Sequence, residues 1–210
     1  MTTEQQKFYD IKNFTEYETV GDDVQFAVII DNERKELILQ YQESKSREDW
    51  KNNLSFLPWP LKLGNKIVWT THGYARAYQS TMLVPIGDLY LQHKQKPDYK
   101  LIIRGWSFGS AMAKIAARHF IIKTGETIDE LSTFGDVKCW VNPFTKYKKN
   151  IKVCHEYATI NDFVTWCVPF YHRTNKCKVG DRFSIRKLFQ TEYYHSHYEE
   201  FDYSKYEGAN

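Results

Sequence analysis

The chain has 210 residues, a hydrophobic content of 42% and a formal net charge of +3, so it is long enough to bury a core in one domain. The small charge is spread along the sequence and does not indicate a nucleic-acid partner. No stretch has the length and apolar character of a transmembrane segment, and the polar start lacks the apolar region of a secretory signal. We therefore expect a single domain over residues 1–210 that is cytoplasmic in the producing cell, with release by lysis or a non-classical route as the alternative.

Short apolar runs alternate with polar turns in the first half of the chain. The predicted elements are strands at 24–30, 36–41 and 67–70, followed by a helical stretch over about 74–93. The short polar segment 31–35 predicts a hairpin between the first two strands. Pro85-Ile86-Gly87 predict a break or kink within the helical stretch.

The second half alternates strands and helices more regularly. Strands are predicted at 99–104, 130–134 and 152–157, a helix at 110–120, and a late hairpin from 177–179 and 182–185 around Gly180-Asp181. Alternation of this kind is typical of a parallel sheet covered by helices. The predicted fold class is α/β, with a mostly parallel sheet flanked by helices and antiparallel strands at the ends.

Four cysteines are scattered through the chain and form no C-x-x-C pair: Cys139, Cys154, Cys167 and Cys177. This number is too small for a disulfide scaffold, and without a secretory signal the thiols are expected to be reduced. No clustering of cysteine with histidine indicates a zinc site, so no metal site is predicted.

Residues 105–109 read Gly-Trp-Ser-Phe-Gly and match the pattern G-x-S-x-G. They lie between a predicted strand and a run of strong helix formers, which is the context in which this pattern forms a nucleophile elbow. Such a turn strains the serine and lifts its hydroxyl above the sheet, while a Cβ at either glycine would collide with neighbouring backbone. The helix N-terminus then points at an oxyanion beside the serine. Ser107 is therefore the candidate nucleophile, with a plain strand-to-helix turn as the alternative.

A serine hydroxyl needs a base within hydrogen-bond reach and an acid that orients the base. In this fold class the acid and then the histidine follow the serine, on loops after later strands. Asp162 lies at the exit of one predicted strand and Asp136 just after an earlier one, so both are candidate acids. Asp181 is expected to cap the late hairpin turn.

The same order favours a base near the C-terminus. His195 and His197 both satisfy it, and their separation of two residues does not choose between them. The remaining histidines are less well placed, because they precede Ser107, lie on its helix, fall within a predicted strand or follow closely after Asp162: His72, His93, His119, His155 and His172.

Several segments carry a joint resemblance that covers about residues 24–201. Residues 105–113 (GWSFGSAMA) are similar to G-H-S-L-G-G-A-L-A, 132–135 (STFG) to a T-F-G strand end, and 195–198 (HSHY) to H-x-x-Y. Residues 41–44 (YQES) and 49–54 (DWKNNL) are similar to F-R-G-[ST] followed by D-W-x-x-[ND]-L, 71–74 (THGY) to an offset V-H-x-G-F, and 161–164 (NDFV) with Pro169 to N-D-x-V-P. In this order and spacing, the chain resembles the class 3 (fungal-type) lipases of the α/β-hydrolase superfamily, in a compact form like their bacterial or phage members.

The resemblance implies the identity of the site residues. The triad would be Ser107, Asp162 and His195, and the oxyanion hole would combine the N–H of Phe108 with a donor at Ser44. The match of Tyr198 to the last position of H-x-x-Y favours His195 over His197 as the base.

Further expectations concern the surroundings of the site. Asp49 would support the loop that carries Ser44. Residues 54–61 lie where the family has its lid and could form either an interfacial flap or a buried plug. The chain departs from the family pattern at Trp106, Ser110 and Gln42-Glu43, so packing around the elbow and the oxyanion loop must differ.

The activity implied by the resemblance is hydrolysis of carboxylic esters of lipids by a serine hydrolase, through an acyl-enzyme and without a metal or organic cofactor. The expected partner is a lipid or ester substrate, met at a lipid–water interface. A phospholipase or small-ester esterase with the same triad is the first alternative, and a catalytically inactive binding or structural protein with the same fold is the second.

Overall fold

A computed structural model of the chain describes residues 1–20, 24–42, 55, 57–81, 83–141, 149–165, 176–180, 184, 187 and 190–206. Its strands are Glu18–Val20 (β1), Val24–Asp31 (β2), Glu36–Tyr41 (β3), Pro58–Leu63 (β4), Lys66–Thr71 (β5), Lys100–Trp106 (β6), Ile128–Phe134 (β7), Ile151–Ala158 (β8) and Lys176–Lys178 (β9). Its helices are Thr3–Asn13 (α1), His72–Thr81 (α2), Leu83–Gln95 (α3), Phe108–Thr124 (α4) and Thr191–Ser196 (α5). Short 3₁₀ turns lie at Phe163–Thr165, Tyr198–Glu200 and Ser204–Tyr206.

Within the described part of the chain, seven strands form one sheet in the order β1-β2-β3-β6-β7-β8-β9, and β4 and β5 form a separate antiparallel pair. The pairs β1–β2 and β2–β3 are antiparallel. From β3 through β6, β7 and β8 to β9 every pair is parallel. The predicted α/β class with a mostly parallel sheet is confirmed. The antiparallel strands of the sheet lie along one edge, with the β4–β5 pair outside it.

Both faces of the central strands are covered, so every residue of β6 after Lys100 is buried. Leu101 and Ile103 pack in a core shared with α2, α3 and α4. Trp106, on the opposite face, packs in a second core with residues of α1 and of the C-terminal segment 191–206. The carboxyl ends of β6 and β8 lead into the segments that contain Ser107 and Asp162. Parallel strands end along a common edge of the sheet, so the two residues lie on the same side of the molecule.

Helix α1 is not among the predicted elements, although the sequence carries its start signal. Thr2 accepts the N–H of Gln5, and the side chain of Gln5 accepts the N–H of Thr2, which is a capping box. Phe8 and Ile11, three residues apart on one helix face, are both fully buried. The T-x-x-Q pattern and this spacing are the signals that indicate the helix.

Three details differ from the predicted elements. The break or kink predicted at Pro85-Ile86-Gly87 is not where the helical stretch divides: α2 ends at Thr81 and α3 begins at Leu83, so Pro85 lies in the first turn of α3, where proline is tolerated. Residues 58–61 of the segment expected to form an interfacial flap or a buried plug belong to strand β4. Residues 176–178 form a strand, but it pairs parallel with β8, and the second arm of the expected hairpin lies outside the described residues except for Ser184. Among the described residues, no helix is long and apolar enough to span a membrane.

Candidate active site

The elbow after β6 has the strained geometry that its sequence predicts. Ser107 has φ 56° and ψ −123°, a positive φ that is rare for a residue with a side chain. Its N–H donates to the carbonyl oxygen of Phe134 at 2.9 Å, and helix α4 begins at the next residue. The turn therefore holds the serine between the end of one strand and the start of a buried helix.

The two elbow glycines are required by close backbone approach. A Cβ at Gly105 would lie 2.3 Å from the carbonyl oxygen of Gly109. A Cβ at Gly109 would lie 2.7 Å from the carbonyl oxygen of Tyr41, at the end of the neighbouring strand β3. Real Cβ contacts do not reach these distances, so neither position accommodates a side chain without movement of the backbone.

His195, in the last turn of α5, contacts the serine and an acid through its two ring nitrogens. Its Nε2 lies 2.6 Å from Ser107 Oγ, and its Nδ1 lies 2.7 Å from Asp162 Oδ2. All three side chains are buried. The structure therefore brings together the three residues that the resemblance selects, in the order serine, histidine, acid.

The carboxylate of Asp162 is held by more than the histidine. Its Oδ1 accepts the N–H of Val164 at 3.1 Å, and its Oδ2 accepts the hydroxyl of Tyr198 at 3.1 Å. The Tyr198 hydroxyl in turn accepts the N–H of Thr159. Burial and the adjacent Asp162 charge raise the pKa of Tyr198 well above its ordinary value, so its phenol stays a proton donor. These bonds satisfy a buried carboxylate and fix its orientation.

Asp136, the other candidate acid, bonds to a buried lysine and a threonine. Its Oδ1 lies 2.8 Å from Lys114 Nζ and accepts the hydroxyl of Thr133 at 2.8 Å. Lys114 also donates to the carbonyl oxygen of Val137. Burial opposes the charge on Lys114, but the facing Asp136 carboxylate and smaller contributions from nearby groups together outweigh it and raise the pKa of Lys114. Asp136 is thus one half of a buried ion pair between α4 and the segment after β7.

His197, the other candidate base, lies just past the end of α5. Its Nδ1 is 2.8 Å from the carbonyl oxygen of Tyr193, and its ring stacks on the ring of Tyr193. Two earlier histidines bond to tyrosines, His119 to Tyr78 and His155 to Tyr157, and burial lowers the pKa of both. His172 and Asp181 lie outside the described residues.

Gly135 is a site residue whose role the sequence does not reveal by itself. It has φ +52°, and a Cβ there would lie 3.0 Å from His195 Cε1 and 3.3 Å from Trp106 Cδ1. The glycine of the T-F-G segment thus provides the space that the imidazole occupies. The motif is visible in the sequence, but its contact with a histidine 60 residues later requires the fold.

The oxyanion hole is described in part. Phe108 is the first residue of α4, so its N–H has no acceptor within the helix and points from the helix N-terminus beside Ser107. Its ring packs edge-on against Tyr74. Ser44 and the supporting Asp49 lie outside the described residues, as do Leu54 and Phe56 of the segment considered as a lid.

Comparison with known proteins identifies the family to which the chain belongs. The family model for class 3 lipases matches residues 38–172, which is well over half of the chain. The chain belongs to the class 3 lipase family. This confirms the resemblance inferred from the motifs. The matched residues include Ser107 and Asp162 but end before His195. The choice of His195 as the partner of these two residues therefore rests on the geometry and not on the family match.

Solved structures of fungal lipases share the fold of this class 3 lipase. Rhizomucor miehei triacylglyceride lipase is 19% identical with a TM-score of 0.68, over 79% of this chain and 66% of that one. A native Rhizomucor miehei lipase–propeptide complex is 19% identical with a TM-score of 0.66, over 80% of this chain and 56% of that one. A triacylglycerol lipase from Penicillium expansum is 15% identical with a TM-score of 0.64, over 78% of this chain and 68% of that one. The chain thus spans between about half and two thirds of the length of the Rhizomucor lipases.

Proposed function

We propose that this class 3 lipase hydrolyses carboxylic esters of lipids, with Ser107 as nucleophile, His195 as base and Asp162 as the orienting acid. The observation that carries the proposal is the continuous hydrogen-bonded line from Ser107 Oγ through both nitrogens of His195 to Asp162 Oδ2. Family membership supports the reaction class, and one triacylglycerol lipase of the same fold is described as having a serine-protease triad at its catalytic centre.

The first half of the reaction forms an acyl-enzyme. The Asp162 carboxylate accepts the Nδ1–H of His195, which leaves the Nε2 lone pair facing the Ser107 hydroxyl. As Ser107 Oγ attacks the ester carbonyl carbon, its proton moves to Nε2 and a tetrahedral oxyanion forms. The imidazolium then gives that proton to the alcohol oxygen, the carbon–oxygen bond breaks, and the acyl group remains on Ser107.

Water completes the cycle by the same route. His195 Nε2 takes a proton from water as the water oxygen attacks the acyl-enzyme, and returns the proton to Ser107 Oγ as the carboxylic acid departs. The positive charge that develops on the ring faces the buried carboxylate of Asp162 at 2.7 Å. Attraction at this distance is weakly screened inside the protein, so the acid stabilises each transition state as well as orienting the ring.

Stabilisation of the oxyanion is assigned to the Phe108 N–H together with a donor at Ser44. The N–H at the start of this 17-residue helix is already oriented in the folded protein, so no reorganisation is needed when negative charge develops on the oxyanion. Ser44→Ala is expected to lower kcat about 10- to 1,000-fold, with little change in KM, if the hydroxyl donates in the transition state. A mild effect would assign the second donor to the backbone N–H of residue 44.

Contact with lipid is assigned to the antiparallel pair β4–β5, which lies outside the main sheet. Leu57, Ile67 and Trp69 are 68%, 66% and 48% exposed, and Trp59 is 45% exposed. Residues 57–72 include two lysines and no acidic residue. Exposed tryptophan beside lysine suits the boundary of an anionic lipid layer, and interfacial activation is described for a fungal lipase of the same fold.

The decisive experiment is active-site labelling followed by a substrate scan. A fluorophosphonate probe should label Ser107, and both labelling and hydrolysis should be lost in Ser107→Ala, by at least about 1,000-fold in rate, while the fold is retained. Absence of labelling in the folded wild-type protein would instead favour an inactive binding protein. Turnover of p-nitrophenyl esters of increasing chain length, next to release of fatty acid from phospholipid, separates lipase from small-ester esterase and phospholipase.

A further inference from the structure

The short helix that carries His195 is held at its C-terminal end by side chains from other parts of the chain. The last four carbonyl groups of a helix accept no hydrogen bond from within the helix, so they need donors from elsewhere. In α5, which has six residues, the carbonyl oxygen of His195 accepts the indole N–H of Trp106 at 3.0 Å. The carbonyl oxygen of the next residue, Ser196, accepts from Lys12 Nζ at 2.7 Å.

Trp106 comes from the elbow itself, one residue before the nucleophile. Its indole is buried and lies beside the His195 imidazole, with ring centroids 6.1 Å apart. Phe8 of α1 packs edge-on against the indole at 5.5 Å. A histidine occupies this position in the motif that the elbow resembles, so the bond from the indole N–H to the His195 carbonyl is a property of this chain's own sequence.

Lys12 comes from the last turn of α1, which precedes the residues matched by the family model. In addition to Ser196, it pairs with Glu199 at 2.8 Å. Gln5 of the same helix donates to the carbonyl oxygen of Phe201 at 3.1 Å. Helix α1 thus contacts the backbone on the C-terminal side of His195 at two places.

We propose that Trp106 and Lys12 are positioning residues for His195, which together fix the backbone of the catalytic histidine relative to the nucleophile. The inference rests on the proposed function. The imidazole must satisfy Ser107 and Asp162 at 2.6 and 2.7 Å at once, and displacement of such a group by about 1 Å can lower the rate about 100-fold. A six-residue helix is too short to hold this position by its own hydrogen bonds.

The test compares variants that remove one donor and keep an apolar side chain at the position, with a control for the smaller ring where tryptophan is replaced. Trp106→Phe removes the indole N–H, and Lys12→Met removes the ammonium. Lys7→Met is the matched control for the second variant, because Lys7 lies on the same helix and pairs with Glu130 on β7 rather than with the α5 segment. Trp140→Phe is the control for loss of a buried indole, since Trp140 packs in the core on the other face of the sheet.

Three measurements are made on each protein. They are kcat and KM on a soluble p-nitrophenyl ester, the Cε1–H resonance of ¹³C-labelled His195 across a pH titration, and hydrogen exchange of the amides in residues 191–201. We expect kcat to fall about tenfold in Trp106→Phe and about threefold in Lys12→Met, with KM within about twofold. The His195 resonance should shift and residues 191–201 should exchange faster in both, but not in the two controls. Lys12→Arg should restore kcat, because a guanidinium keeps the donors.

The outcomes distinguish a failure of the proposed hydrolase function from a failure of the positioning role. If wild-type protein neither labels nor hydrolyses esters, the proposed function fails, and the resonance and exchange data still decide whether the two side chains hold His195. If wild-type protein is active while both variants keep its kcat and its His195 resonance, the positioning role is overturned. Equal losses in the controls would also overturn it, because they would show a general loss of packing. Should Trp106→Phe fail to fold, the surface-facing Lys12 series decides.

Discussion

Two buried aspartates near the elbow should respond to the same substitution in opposite ways. In Asp162→Asn, the amide oxygen should take the place of Oδ1, because that position accepts the N–H of Val164. The NH₂ group then faces His195 Nδ1 and donates to it. The ring proton is displaced to Nε2, which points an N–H at Ser107 in place of a lone pair. We expect kcat to fall about 10,000-fold, which corresponds to about 5 kcal/mol of activation free energy.

The cost of Asp162→Asn to folding should be smaller than that of Asp136→Asn. The substitution keeps the bond from Val164 and the size of the side chain, but the Tyr198 hydroxyl loses its acceptor at Oδ2, so the free energy of unfolding should fall by about 1–3 kcal/mol. The variant should therefore remain folded at temperatures where the wild-type protein is assayed.

Asp136→Asn should show the reverse pattern. Lys114 is fully buried and would lose the carboxylate that lies 2.8 Å from it. Removal of one partner from a buried ion pair costs about 3–5 kcal/mol, a large share of a typical total of about 5–15 kcal/mol. For a chain of this length the melting temperature should fall by about 6–20 °C. The kcat per folded molecule should stay within about tenfold of the wild-type value.

The assay combines urea unfolding with turnover of a p-nitrophenyl ester, normalised to the folded fraction at a temperature below both transitions. The double variant Lys114→Met/Asp136→Asn is the control, because it removes both charges and should recover part of the lost stability. Near-normal kcat in Asp162→Asn together with an inactive, stable Asp136→Asn would refute the assignment of the acid.

Three further predictions concern other parts of the molecule. Gly135→Ala should lower kcat about 10- to 100-fold by moving the His195 ring, whose Cε1 would lie 3.0 Å from the new Cβ; an unchanged kcat would show that the ring has room. Burial raises the pKa of Glu130, but the charge and hydrogen bond of Lys7, together with a hydrogen bond from Ser132 and the charge of His155, outweigh burial and lower that pKa below its ordinary value of 4.5. The ionised Glu130 therefore stabilises the folded state above pH 4.5, and this stabilisation is lost as the pH falls through the folded-state pKa. Between about pH 5 and 3, the free energy of unfolding should fall more steeply for the wild-type protein than for Glu130→Gln. Trp69→Ser should lower binding to vesicles that contain phosphatidylglycerol about tenfold in a flotation assay, and binding equal to wild type would remove β5 from the lipid-contact surface.

The parts of the molecule that follow from the sequence are those specified by neighbouring residues. The elbow is predictable because a strand, two glycines and a helix around Ser107 lie within about 20 residues. The hairpin of β2 and β3 is equally local, since a polar turn of four residues joins two apolar runs. Asp162 and His195 are predictable as candidates because their order along the chain is restricted in this fold.

The parts that do not follow depend on contacts between distant residues. Spacing does not separate His195 from His197, because the choice is made where α5 ends: His195 lies within the helix and faces the elbow, while His197 follows it. The bond from Trp106 to His195 joins residues 89 positions apart, and no periodicity reports such a contact. The parallel pairing of β9 with β8 is similarly invisible in a three-residue strand.

The packing of α1 against the segment after His195 has a consequence for folding kinetics. The two regions are separated by more than 180 residues, so their contact closes a loop nearly as long as the chain, and contacts of such high sequence separation form slowly. The core around Ser107 can condense earlier, since β6 and α4 are adjacent in sequence and β3 pairs with β6 at a separation of 64 residues. We therefore expect the nucleophile to be ordered before its base arrives, so that the appearance of esterase activity lags behind the burial of Trp140, which packs in the core with α4, during refolding.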